Sequence, residues 1–210
     1  MKLIVGITGA SGVIYGIRLL EVLSGVEGVE THLIITEASE LNIKYETDWE
    51  VAQVRALADF SHDVRDLGAP VSSGSFPVDG MIVAPCSMKT LAALANSYAE
   101  NLLLRAADVT LKERRKLVLL VRKTPLNLAH LRNMEQLAEM GAVILPPVPA
   151  FYHHPRTIQD IVDYTIGKVL DLFGIEHDLF ARWPGALAKQ AAPRYPANTR
   201  RGGEISEKLK

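Results

Sequence analysis

Apolar residues fall in short unbroken runs, separated by stretches in which they recur every three or four positions. The runs "KLIVGI" (2–7), "ETHLIIT" (30–36), "MIVAPC" (81–86), "KLVLLV" (116–121) and "AVIL" (142–145) predict strands. They are apolar at odd and even positions alike, as strands buried on both faces are. Helical spacing marks 13–25, 37–45, 49–60, 87–99, 101–115, 125–141 and 157–174. The segment 125–141 opens on proline and closes on glycine, and 157–174 opens on a threonine cap and closes on Gly174. The stretch 62–80 is mixed with a turn-rich centre, and "PPVPAFYHHP" (146–155) cannot be regular structure. Strand and helix alternate, which predicts an α/β fold: a doubly wound parallel sheet with helices on both faces, a three-layer sandwich. The expected division is one domain over 1–184 and a C-terminal extension or tail over 185–210, where periodicity is lost.

Composition narrows the class of function. The 210 residues are 48% hydrophobic and 22% charged, as in globular proteins. A net charge of −1 lacks the basic footprint of a nucleic-acid binder. No apolar run reaches the length of a membrane span, and the N-terminal run is too short for a signal segment. Cys86 is the single cysteine, so no intramolecular disulfide forms, and a reducing cytoplasm is the expected setting.

Ligands of parallel α/β sheets gather at the carboxyl ends of the strands, so the strand-to-helix junctions carry the candidate chemistry. In "TGASG" (8–12), Gly9 and Gly12 permit close approach, Thr8 and Ser11 add hydroxyls, and the following helix offers N–H groups to an anion. The same glycines suit a tight turn against the next helix, and both readings stay open. A dinucleotide calls for an acid at the second strand end. Glu37 lies beside that place, but the end itself is Thr36, whose hydroxyl suits a flavin or sugar edge equally well. In "CSMKT" (86–90), Ser87 and Thr90 set hydroxyls and several N–H groups around one anion, with simple capping by Ser87 as the alternative. Cys86 reads as a small buried residue.

Arg122 and Lys123 leave a third strand end. Arg105 and Lys112, seven apart on one predicted helix, share a face suited to a phosphate; pairing of Arg105 with Asp108 is the competing role. Phe151 and Tyr152 can wall an aromatic ligand, whereas His153 and His154, adjacent and without a third ligand at suitable spacing, do not read as a metal site. "SSGS" (72–75) suits a loop closing over a ligand as well as it suits plain surface, and Glu46 in "YETD" defaults to a surface charge.

Taken together, "GITGASGVIYGIRLL", "YETD", "SSGSFPVDGMIVAPCSMKTLAALA", "NLLLRAADVTLKERRKLVLLVR", "MGAVILPPVPAFYHHP" and the final "RW" resemble the UbiX/Pad1 flavin prenyltransferase family over about residues 2–184. The resemblance implies a flavodoxin-like or Rossmann-like sandwich. It implies transfer of a dimethylallyl group from dimethylallyl monophosphate to N5 and C6 of reduced FMN, the product serving a UbiD-type decarboxylase. It also implies a homododecamer with active sites where subunits meet.

Carried over by the same resemblance, Gly9, Ala10, Ser11, Thr36, Ser87, Met88, Lys89, Thr90 and Arg122 hold FMN. Tyr152 and Lys168 hold the prenyl phosphate, and Trp183 adds an aromatic wall. Arg105 and Lys112 meet the leaving phosphate, and Glu46 with Ser11 forms a base and relay. No metal is implied, in keeping with the lack of an Asp-rich motif. Two positions depart from the family pattern. Lys123 stands where a carboxylate is common, which reverses a charge, and Lys168 stands where arginine is common, which loses the bidentate fork. Two alternatives accompany the reading: a flavin-dependent cysteine decarboxylase, which needs a histidine base near the flavin, and an FMN carrier without chemistry.

Overall fold

The computed structural model describes residues 1–183 and 185, so the expected tail lies, Gly185 apart, outside the described residues. Six strands form one parallel sheet: β1 (Lys2–Ile7), β2 (Glu30–Ile35), β3 (Phe60–His62), β4 (Gly80–Cys86), β5 (Lys116–Val121) and β6 (Val143–Ile144). Their order is β3-β2-β1-β4-β5-β6. Order therefore reverses between β1 and β4, where a crevice opens at the strands' carboxyl ends. Seven α-helices connect them: α1 (Ile14–Leu23), α2 (Glu37–Glu46), α3 (Val51–Ala56), α4 (Met88–Ala95), α5 (Leu102–Lys112), α6 (Leu128–Glu139) and α7 (Ile158–Phe173).

Alternate strand residues feed two separate cores. Leu3, Val5 and Ile7 of β1, with Leu33 and Ile35 of β2, bury against α1 and α7. Ile4 of β1 and Ile34 of β2 bury on the other side, with Met81 and Val83 of β4, against α4 and α5. Both faces of the sheet are dry, which is why these strands read as continuous apolar runs.

Three local differences from the sequence reading matter. Phe60 lies in β3, an edge strand paired in parallel with β2, and not at the end of a helix. It is held by stacking of the Phe60 ring on the buried His32, centroids 4.9 Å apart, and not by an apolar run. Pro125 precedes α6, whose cap is Asn127; the Asn127 side chain accepts from the His130 N–H. α4 ends at Ala95 and α5 at Lys112, each several residues before the expected end. The caps of α7 are as expected: Thr157 accepts from the Asp160 N–H, and Gly174 takes φ 68°. No described helix is long and apolar enough to cross a membrane.

Candidate active site

The ends of β1 and β4 are stitched together by one hydroxyl. Thr8, 1% exposed, donates its Oγ1–H to the Pro85 carbonyl at 2.7 Å and accepts from the Ser87 N–H at 2.9 Å. Thr8 is thus occupied inside the protein, and its expected service to a ligand is corrected to a positioning one. Ser87 caps α4, accepting from the Thr90 N–H at 3.2 Å, and its hydroxyl also meets that of Thr90 at 3.1 Å. Across the crevice Thr36 caps α2, where its hydroxyl meets Ser39 at 3.0 Å. Gly9 is required by α2 itself: a Cβ there would lie 2.5 Å from the Ala38 Cβ.

These junctions enclose a cleft of about 490 Å³, within the range of small-molecule pockets. Gly9, Thr36, Ser87, Lys89 and Thr90 line it, as the sequence suggested for a ligand at these turns. Leu103 and Leu104 give it an apolar wall. Met88, half-buried, packs against the core, and Ala10 is buried. Lys89 forms a rim ion pair with Glu100 at 2.5 Å.

Beside the cleft, the turn after β1 forms a second group. Gly12 adopts φ +98°, which a side chain rarely tolerates. Its N–H donates to Glu46 Oε2 at 2.6 Å, and the Val13 N–H reaches the same oxygen at 3.3 Å. Arg122 Nε donates to the Ser11 carbonyl at 2.9 Å. Ser11, Glu46 and Arg122 are therefore neighbours, and Glu46 anchors a turn where its sequence position gave only a surface charge. Tyr15 borders the same turn; burial raises its phenol pKa, opposed by the nearby Arg122. Lys123 is exposed and makes no hydrogen bond or ion pair among the described residues.

The remaining candidates lie in two further groups. Tyr152 meets Trp183 edge to face at 5.7 Å and Tyr164 at 6.0 Å. Lys168 joins this group through Asp171, 3.5 Å away, which also binds Arg182 and His177. The Arg182 hydrogen bond, opposed by desolvation and aided by the charges of Arg182 and Lys168, pulls the Asp171 pKa down to about 2. Arg105 and Lys112 share a face of α5 as expected, and that face meets the loop over 72–76. Arg105 Nε donates to the Ser72 carbonyl at 3.1 Å, and Arg115 donates to the carbonyls of Gly74 and Phe76. Arg105 also approaches Asp108 at 3.8 Å, and Lys112 pairs with Glu113. Within one chain, neither Arg105 nor Lys112 lines the cleft. Cys86 is fully buried, and burial pushes its thiol up to about 12, so it is no nucleophile.

A flavoprotein family profile matches residues 1–170. The chain is 57% identical to the flavin prenyltransferase UbiX of Salmonella typhimurium strain LT2, over 88% of this chain and 99% of that one. The chain belongs to the UbiX/Pad1 flavin prenyltransferase family. Among solved structures, it is similar to a dodecameric FMN-dependent UbiX-like decarboxylase from Escherichia coli O157:H7, with TM-score 0.87 and 53% identity over 88% of this chain and all of that one. It is equally similar to AnUbiX (PadA1) in complex with FMN and dimethylallyl pyrophosphate, with TM-score 0.86 and 52% identity over 88% of this chain and 97% of that one.

The chemistry of the cleft fits the flavin that this UbiX family uses. Hydroxyls of Thr36, Ser87 and Thr90 suit a polyol and phosphate tail, cations stand at the rim, and the leucines suit a ring edge. Arg65, which also lines the cleft, was missed in the sequence. Its signal was the strand β3 just before it, hidden because that strand lacks an apolar run.

Proposed function

We infer that this chain is a flavin prenyltransferase, joining a dimethylallyl group from dimethylallyl monophosphate to N5 and C6 of reduced FMN. The observation that carries the reading is the strand-end cleft, with its hydroxyl and cation lining, in a chain this close to named flavin prenyltransferases. The flavin supplies the electron-rich ring that accepts the allyl group. Every other contribution comes from protein side chains.

The flavin tail is assigned to Gly9, Thr36 and the segment from Ser87 to Thr90, with Arg122 and Ser11 at the ring end. Arg105 and Lys112 neutralise the charge that grows on the donor phosphate as its carbon–oxygen bond breaks, which lowers the barrier most where water is excluded. Tyr152 and Trp183 offer ring faces to the developing allyl cation. Oε2 of Glu46 is occupied by two N–H groups, while Oε1 makes no hydrogen bond among the described residues. Closing the second bond breaks C6–H and saturates the allyl double bond, which needs a proton at its central carbon; in this scheme Oε1 takes the proton from C6 and returns one to that carbon. Lys123 adds a positive charge beside Arg122, which favours binding of a phosphate donor.

Arg105 and Lys112 stand apart from the cleft in one chain, so the complete site takes them from a neighbouring copy. The dodecameric relative supports an assembly of this kind, and exposed apolar side chains such as Leu128, Leu131 and Ile158 supply surface for it. The product passes to a UbiD-type decarboxylase, and the single cysteine accords with a reducing cytoplasm as the setting. Incubation with reduced FMN and dimethylallyl monophosphate, followed by mass spectrometry of the extracted flavin, tests the reaction. A gain of one prenyl unit is expected. Unmodified FMN recovered from a protein that binds it would overturn this reading and leave the carrier and the cysteine decarboxylase.

A further inference from the structure

Arg65 and Glu37 each line two cavities: the cleft described above and an adjoining crevice of about 350 Å³ between α2, α3 and the loop after β3. The two side chains form an ion pair, so that pair stands on the ridge between the cavities. Their surroundings differ in how free they are to move. The backbone at Arg65 is fixed: its N–H donates to Asp63 Oδ1 at 2.9 Å, and the preceding Val64 carbonyl accepts from the Leu102 N–H at 2.8 Å. The Arg65 side chain is 78% exposed and that of Glu37 67%, and the pair is the one polar contact holding the guanidinium among the described residues. An ion pair this exposed is weak and screened by salt, so it opens readily.

We propose that Arg65 is a specificity residue for the phosphate end of the flavin, parked on Glu37 at the cleft rim until the phosphate replaces that carboxylate. The proposal rests on the reading that this cleft takes the flavin's phosphate tail. A phosphomonoester carries more charge than a carboxylate and accepts the same two-pronged arginine contact. The far side of the ridge does not compete for it. There Glu40 and Asp63 join Glu37, and Arg55 is already paired with Glu40 at 2.8 Å. An anion is therefore favoured on the cleft side, where Lys89 stands in a matching pair with Glu100. Glu37 acts in this scheme as a competitor: it holds Arg65 in place and lowers affinity for the phosphate.

The test compares FMN with riboflavin, which lacks the phosphate, by titration of flavin binding to the full-length assembled protein. Arg65→Met is expected to weaken FMN about tenfold, the loss of one charge-assisted fork, and to leave riboflavin within about twofold, as a distant charge does. Arg65→Lys should recover part of the loss. Glu37→Gln should strengthen FMN by a few-fold and leave riboflavin unchanged. Both side chains are exposed, so unaltered thermal midpoints are expected and check the fold. If wild-type protein prefers FMN to riboflavin and Arg65→Met keeps that preference, the role of Arg65 is overturned while the cleft assignment stands. If Glu37→Gln weakens FMN as Arg65→Met does, the pair is structural and the competition is overturned. If wild-type protein shows no preference for FMN, the phosphate lies elsewhere and the cleft assignment falls together with the proposal.

Discussion

Thr8 shows how one buried hydroxyl sets a binding surface. It joins the Pro85 carbonyl to the Ser87 N–H across two strand ends. Thr8→Val keeps the shape but leaves the Ser87 N–H without its partner and removes one donor from Pro85. We expect a loss of about 2 kcal/mol by chemical denaturation, the cost of buried groups left unpaired, and weaker FMN binding because Ser87 shifts. Thr8→Ser should restore both. Glu46 makes a different prediction. Glu46→Gln keeps an oxygen for the Gly12 N–H and so should preserve FMN binding, yet it cannot take a proton; prenylated flavin should fall by two or more orders of magnitude, a usual contribution of a general base. Unchanged product formation would remove Glu46 from the reaction. Much at this level was legible in the sequence, since Gly9, Thr36, Ser87 and Thr90 do converge on one cleft. The reasons were less so. Gly9 is small because Ala38 approaches it, and Thr8 faces the protein, and neither contact across the sheet has a local sequence signal.

Most of the secondary structure followed from period alone, because a sheet covered on both faces and helices covered on one leave unlike patterns. β3 did not. As an edge strand it has two exposed residues of three, and its support comes from His32, nearly thirty positions away in sequence. With β3 unseen, its strand end and Arg65 beyond it went unseen too. The segment after α7 has a comparable non-local support. Asp171 holds Arg182, next to Trp183, and its pKa is drawn down to about 2, first by that hydrogen bond. An aspartate in the unfolded chain titrates near 3.9, so this contribution is complete above about pH 4 and is lost as pH falls toward 2. Trp183 should therefore stay against Tyr152 from neutral pH down to about pH 4 and separate progressively as pH falls toward 2. In a Trp49→Phe background, Trp183 fluorescence reads this directly. Asp171→Asn should give the low-pH spectrum at pH 7 without unfolding the sheet; a neutral-pH spectrum like that of the parent would show that the segment docks without Asp171.

The separation of Arg105 and Lys112 from the cleft has a consequence for the assembled protein that distinguishes one-chain from shared sites. The cationic face of α5 meets the loop over 72–76, and neither Arg105 nor Lys112 lines the cleft. If each working site joins Glu46 of one copy to Arg105 of its neighbour, two chains with different defects can repair one another. Arg105→Ala and Glu46→Gln proteins should each be inactive alone. Co-expressed in equal amounts they assemble at random, and a site is intact when its Arg105 donor and its Glu46 donor are each unmutated there. That gives about one quarter of wild-type product per site, as closed symmetry with equivalent interfaces requires. If both residues served the site of their own chain, every site would carry one defect and the mixture would be as inactive as its parents. The recovered fraction therefore measures whether Arg105 serves its own chain's site or a neighbour's, and it does so through sequence changes that leave both cores of the sheet untouched.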